Sequence, residues 1–178
     1  MIFEEKTVSS EKIFDGKIIK LRLDKVAMPD GSLADRELID HPGGVGIVAL
    51  TDDDKIILVK QYRKPIEKAI YEVPAGKLDA GEGHYTCGVR ELEEETGYRA
   101  ERFEYMGFIY PSPGYANELT HLYLATGLKK GEMHPDEDEF LDVEYMDFSK
   151  AKEMVMNNEI NDAKSVYGIL KAAVIIGK

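Results

Sequence analysis

Between Gly76 and Tyr98 the chain reads GKLDAGEGHYTCGVRELEEETGY, with Glu82 six residues after the first glycine, then Arg90-Glu91-Leu92, Glu94-Glu95 and Gly97. Glu94 and Glu95 follow Glu91 by three and four positions, so on a helix the three carboxylates share one stripe. Like charges packed this way destabilise a helix unless something offsets them. A glutamate run is ordinarily a solvated face. Here, however, Tyr85, Val89 and Leu92 recur at four- and three-residue spacing on the other side, as in a helix that buries one face against a sheet. The pattern predicts a helix packed through Tyr85, Val89 and Leu92, its acidic stripe turned outward.

Divalent cations would offset that charge, and a ligand set of oxygens alone suits hard ions such as magnesium or manganese. The four histidines and the single Cys87 offer no zinc spacing. Magnesium typically joins a few carboxylates to substrate phosphates and keeps some of its waters, so the stripe reads as a phosphate-handling site where water attacks phosphorus.

With 178 residues and 43% hydrophobic content, the chain suffices for one well-buried domain and a small appendage. A formal net charge of -11 argues against nucleic acid or an anionic membrane as partner, since both select basic patches. One cysteine excludes an internal disulfide, suits a reducing cytoplasm, and reads as a small buried helix residue. The start MIFEEKTVSSEK lacks a secretory apolar core, and no run approaches the roughly 18 apolar residues of a membrane span. The expected location is cytoplasmic.

Ile19, Leu21 and Leu23 alternate with Lys20, Arg22 and Asp24, which predicts a half-buried strand over 17–28. Pro29-Asp30-Gly31 turns it back into a partner over 33–40. His41-Pro42-Gly43-Gly44 marks a boundary, giving an N-terminal β extension of residues 1–40 and a main domain of 41–178. A second hairpin, 45–51 and 55–62, flanks Asp52-Asp53-Asp54. Beyond the central helix, strands are expected near 103–110, 119–126 and 141–146, and helices near 149–157 and 163–176. This is an α/β (α+β) chain, a mixed sheet with helices on its faces.

The Gly76–Tyr98 segment resembles the signature of the Nudix hydrolases, which cleave a nucleoside diphosphate linked to another group. It matches every defined position but the last, where Tyr98 replaces an aliphatic residue. Gly88 is a second departure, since alanine is more usual there and glycine costs a helix interior roughly 1 kcal/mol. QYRKPIEKAIYEVPAGKL, YPSPGYANE, the late DEDEF and the NDAKS stretch look like the ADP-ribose pyrophosphatase branch. The resemblance implies the Nudix α/β/α sandwich, an N-terminal antiparallel β extension exchanged in a homodimer, and Mg2+ as cofactor, with Mn2+ able to substitute.

It also implies site residues. Glu91 and Glu95, with the carbonyl of Ala75, match the principal metal ligands, and Glu94 matches a further ligand or catalytic helper. Gly76 permits the tight turn that presents that carbonyl. Arg90 orients the helix glutamates, Glu82 is structural or a metal helper, and Gly97 closes the motif. The base that activates water falls to Glu137 or Glu139 in the 136–139 acidic loop. Arg63 and Arg36, the latter from the other subunit, suit a diphosphate through paired hydrogen bonds, with Glu72 and Glu118 as further substrate contacts. The implied reaction is Mg2+-dependent hydrolysis of ADP-ribose to AMP and ribose 5-phosphate. Another nucleoside diphosphate sugar, an oxidised nucleotide, or a non-catalytic ADP-ribose sensor are the alternatives.

Overall fold

The computed structural model describes residues 3–135 and 140–178. The chain forms two compact units, Met1–Gly43 with Tyr110–Leu119, and Gly44–Ile109 with Thr120–Lys178.

In the first unit, β1 (Lys6–Asp15), β2 (Lys20–Ala27) and β3 (Leu33–Asp40) form an antiparallel sheet in that order. The β2–β3 turn is built by its own residues. Asp30 Oδ1 accepts from the Ser32 amide at 2.9 Å and the Ser32 hydroxyl at 2.6 Å, and Gly31 takes φ 86°, a conformation glycine adopts without a Cβ penalty. β1 arises in the charged start, where no apolar alternation predicts a strand. Its partners are supplied by β2, from Lys6↔Ala27 to Asp15↔Lys20. The Tyr110–Leu119 loop joins this unit through the end of β3. The Ile39 amide donates to the Tyr115 carbonyl at 2.7 Å, and Asn117 Oδ1 accepts from the His41 amide at 2.8 Å.

The second unit is a mixed sheet. Along it run β10 (Leu141–Asp147), β5 (Lys55–Arg63), β4 (Gly44–Leu50), β9 (Thr120–Lys130) and β8 (Tyr98–Ile109), with short β6 (Lys68–Glu72) on β5 and β7 (Ala75–Lys77) on β4. β4 and β9 are parallel, and the other pairs antiparallel. Every residue of β4 is buried, as a central strand covered on both faces requires. Side chains alternate between two cores. Val45, Ile47, Ala49 and Ile57 pack with Cys87 and Leu92 of helix α1 (His84–Thr96). Val48, Leu50, Ile56 and Leu58 pack under α2 (Phe148–Met156) and α3 (Ala163–Ile176), against Phe148, Ala151, Ile169 and Ala172. The result is helix, sheet and helix in three layers.

The rotation of α1 corrects one expectation. Tyr85 is 56% exposed and Val89 lies at the edge, whereas Cys87, Gly88, Glu91, Leu92, Glu95 and Thr96 are buried. The stripe of Glu91 and Glu95 thus adjoins the packed face, with only Glu94 of the three half-exposed. Gly88 has a packing reason: a Cβ there would stand 2.9 Å from Cζ of Phe103, whose ring stacks on Tyr123 at 4.4 Å. Tyr98 meets Tyr145 edge-on, and the Tyr145 hydroxyl donates to that of Tyr98 at 3.3 Å.

Truncating Ile169, fully buried on the packed face of α3, to alanine is expected to cost about 2–5 kcal/mol. Urea unfolding measures this, and a loss below about 0.5 kcal/mol would contradict the packing.

Candidate active site

The site is built around the six residues Glu72–Lys77, which cross from β6 into β7 and are gripped from several elements. The Glu72 carboxylate, 1% exposed, accepts from Arg63 of β5 through Nε at 2.6 Å and Nη2 at 2.8 Å, and also from Lys164 of α3. Burial pushes the Glu72 carboxyl up, but the hydrogen bonds from Arg63 and the charge of Lys164 outweigh it, leaving it below the usual carboxylate range. The Val73 amide donates to Ser165 Oγ at 2.8 Å, and the Pro74 carbonyl accepts from the Ile47 amide at 2.8 Å. The Ala75 amide donates to Glu95 Oε2 at 2.8 Å. Lys77 presents its carbonyl to Cys87 Sγ at 3.5 Å.

Gly76 lies directly against Glu91. A Cβ on it would fall 1.9 Å from the Glu91 carboxyl carbon and 1.9 Å from Oε1, far inside any van der Waals contact. The requirement here is close approach. Glu91, 8% exposed, and Glu95, 2% exposed, are thereby brought against the same short strand.

Arg90 organises the outer rim. Its Nε and Nη2 fork onto Glu82 at 3.1 and 3.0 Å, while Nη1 reaches Glu94 Oε2 at 2.7 Å and Glu91 Oε1 at 2.9 Å. Glu82 also accepts from the Asp79 amide at 3.1 Å, tying the preceding loop to the helix. The Arg90 guanidinium holds the Glu82 carboxyl down at about 2, against an ordinary 4.5. Cys87 is no nucleophile, since burial pushes its thiol up to about 12. Gly97 caps α1 at φ 70°, its amide donating to the Glu93 carbonyl at 2.7 Å.

Three carboxylates, Glu82, Glu91 and Glu94, therefore gather around one guanidinium, while Glu95 takes the Ala75 amide; Glu91 and Glu95 are the buried ones. Arg63 adds charge within Coulomb range of Glu95. Among the described residues no three His, Cys, Asp or Glu side chains form a complete metal cage. The donor chemistry still fits a hard divalent cation: two buried helix carboxylates set against a glycine-bearing strand, oxygen donors throughout, and residual negative charge. Such a cation would complete its shell with main-chain carbonyl, water and substrate oxygens.

Arg36 and Glu118 belong to the first unit, where Arg36 is held by Glu5 through Nε at 2.8 Å and Nη2 at 2.6 Å. Glu137 and Glu139 lie outside the described residues. Lys164, Asp162 and Ser165 carry structure that the sequence reading did not assign. Their signal is Asp162 immediately before an apolar helix, the usual N-cap pattern, and Asp162 Oδ2 does accept from the Ser165 amide at 3.0 Å and hydroxyl at 2.7 Å.

The depressed Glu82 carboxyl sets a pH dependence. The folded protein holds this proton less tightly than the unfolded chain, so the Glu82–Arg90 pair contributes fully above about pH 4.5 and is lost as pH falls towards 2. Unfolding free energies of the wild type and Glu82→Gln, followed by denaturant titration, are expected to differ at pH 6 and converge across that window. A constant difference would refute the pairing.

The chain is similar to known proteins over most of its length. Residues 40–167 match the NUDIX domain, and residues 5–39 match the nucleoside diphosphate sugar hydrolase N-terminal domain. An ADP-ribose pyrophosphatase of Bacillus subtilis (strain 168) is 46% identical over 170 residues, covering 93% of this chain and 91% of that protein. A methanol dehydrogenase activator of Bacillus methanolicus is 45% identical over 170 residues, covering 94% and 92%. An ADP-ribose pyrophosphatase of Mycobacterium tuberculosis is 36% identical over 168 residues, covering 92% and 81%. A crystal structure of an ADP compounds hydrolase shares the fold at TM-score 0.88 and 19% identity, across 99% of this chain and 96% of that one. With the Gly76–Gly97 segment folded as a strand against a glutamate-bearing helix, and the domain match spanning most of its length, the chain belongs to the Nudix family.

Proposed function

We propose that this protein hydrolyses the diphosphate bridge of ADP-ribose, releasing AMP and ribose 5-phosphate, with Mg2+ as its cofactor and Mn2+ able to replace it. The observation that carries the reading is the apposition of Glu91 to Gly76 and of Glu95 to the Ala75 amide. Relatives named ADP-ribose pyrophosphatase, 46% and 36% identical over nearly the whole chain, support the substrate.

Glu91 and Glu95, with the Ala75 carbonyl, would hold the cation, and Glu94 is a further ligand or helper. When bound, the cation supplies charge neutralisation at the diphosphate and polarises its phosphorus. Gly76 keeps the strand close enough for Glu91 to reach the site, and Arg90 fixes the direction of the helix carboxylates. Arg63 offers its outer N–H groups to a phosphate oxygen while Glu72 holds the inner edge. Water adds to one phosphorus, its proton passing to Glu137 or Glu139, and the bridging P–O bond breaks to leave two monophosphates. Residues 1–40 are assigned to dimerisation, Arg36 and Glu118 to substrate contacts, and the cytoplasm to the site of action. Among the described residues no helix is long and apolar enough to cross a membrane.

The deciding assay incubates the purified protein with ADP-ribose, ADP- and GDP-sugars, an oxidised nucleotide and NADH, with Mg2+ or chelator, and separates the products. Selective Mg2+-dependent AMP release from ADP-ribose is expected. Cleavage of a different member would replace the substrate, and binding without cleavage would identify a sensor. Glu95→Gln should lower kcat roughly a hundredfold or more with the fold retained by circular dichroism. Near wild-type turnover in that variant would remove Glu95 from the site.

A further inference from the structure

Glu72 is buried with two cations on its carboxylate. Arg63 uses Nε and Nη2 to hold it, an edge-on grip that fixes the plane of the guanidinium. Lys164 approaches from α3, and its own ammonium is anchored by Asp162 at 3.0 Å. Asp162 is the helix cap, bonded to Ser165, and Ser165 Oγ in turn takes the Val73 amide. The first turn of α3 thus grips both the Glu72 side chain and the next peptide. Even the lysine stem has a place: it runs beside Gly46, where a Cβ would stand 3.6 Å from Lys164 Cδ.

From this chain of contacts we infer that Lys164 is a positioning residue for Arg63, and through it a determinant of diphosphate affinity. With only Arg63 as partner, Glu72 would be free to turn about its last torsion and carry the guanidinium with it. Lys164 adds a second contact on Oε2, the oxygen that also accepts from Arg63 Nη2, and locks that torsion. Arg63 then presents its outward N–H groups in one orientation. Lys164 itself, only 15% exposed and engaged by two carboxylates, does not touch substrate. The inference rests on reading Arg63 as a diphosphate contact.

A double-mutant cycle over Lys164→Met and Arg63→Ala tests it. Both singles and the double variant are assayed for KM and kcat with ADP-ribose and Mg2+, and for the dissociation constant of ADP-ribose with chelator, so that one readout needs no turnover. Lys164→Met is expected to raise KM and the dissociation constant roughly tenfold with kcat within about twofold. The double variant should bind no worse than Arg63→Ala, because Lys164 acts only through Arg63. Lys164→Arg, which keeps a cation on Glu72, should recover most of the affinity.

Multiplying losses in the double variant, or a fall in kcat at unchanged KM, would overturn the inference. Thermal melting reports folding; should Lys164→Met not fold, Lys164→Gln against Lys164→Arg makes the same comparison, and equal affinity in those two refutes it. A wild type that leaves ADP-ribose intact sinks the substrate reading instead, and the cycle is then run on the compound that the panel identifies.

Discussion

The close approach of a short strand to an acidic helix face is what the rest of this site depends on. Glu91 can reach its position only because residue 76 has no side chain, and Glu95 is held by the amide of the residue before it. Both carboxylates are buried, and buried charge is costly unless it is paired or coordinated. The fold meets part of that cost by fixing six consecutive residues, Glu72–Lys77, with contacts from β4, β5, α1 and α3. A strand of three residues has little stability of its own. Its rigidity is borrowed from four neighbours, which keep its carbonyls and amides in place without its being part of a long sheet.

Arg90 and Arg63 divide the electrostatics differently. Arg90 spends its guanidinium on three glutamates of one motif, so its charge is consumed inside the site and its effect is to aim carboxylates. Arg63 meets a single glutamate along one edge, leaving the other edge as a donor surface. Glu72 also receives Lys164, so the buried carboxylate does not cancel Arg63 alone. The two arginines therefore differ in what they leave over: Arg90 is committed to three protein anions and Arg63, along one edge, to a single one.

Much of this was legible where the signal is local. Hairpins around Asp30 and Asp52–Asp54 follow from turn chemistry, and the central helix with its glutamates follows from spacing. The face of α1 was not, because hydrophobic periodicity weighs Tyr85 and Val89 as core while the true packed side holds Cys87, Gly88 and two glutamates. A helix that buries two carboxylates defeats a rule that places charge outside. β1 and β6 were also hidden, being hairpin partners of neighbouring strands with no apolar alternation of their own, and β7 because its partner β4 is remote in sequence. Lys164 was invisible for the same reason: it lies 92 residues from Glu72, and nothing in NDAKS names its acceptor.

Gly88 illustrates how a local departure can be compensated at a distance. Glycine inside a helix gives up roughly 1 kcal/mol against alanine, yet the space it leaves admits the Phe103 ring, which stacks on Tyr123 and meets Tyr85 edge-on at 5.6 Å. Aromatic pairs of this kind contribute about 0.5–1.5 kcal/mol each beyond the area they bury, enough to offset the helix loss. The helix is thereby clamped to β8 and β9 beside its first turns, while Leu92 packs it against the sheet further along. That clamp fixes the rotation of α1, and the rotation decides that Glu91 and Glu95, and not Val89, face the strand carrying Gly76.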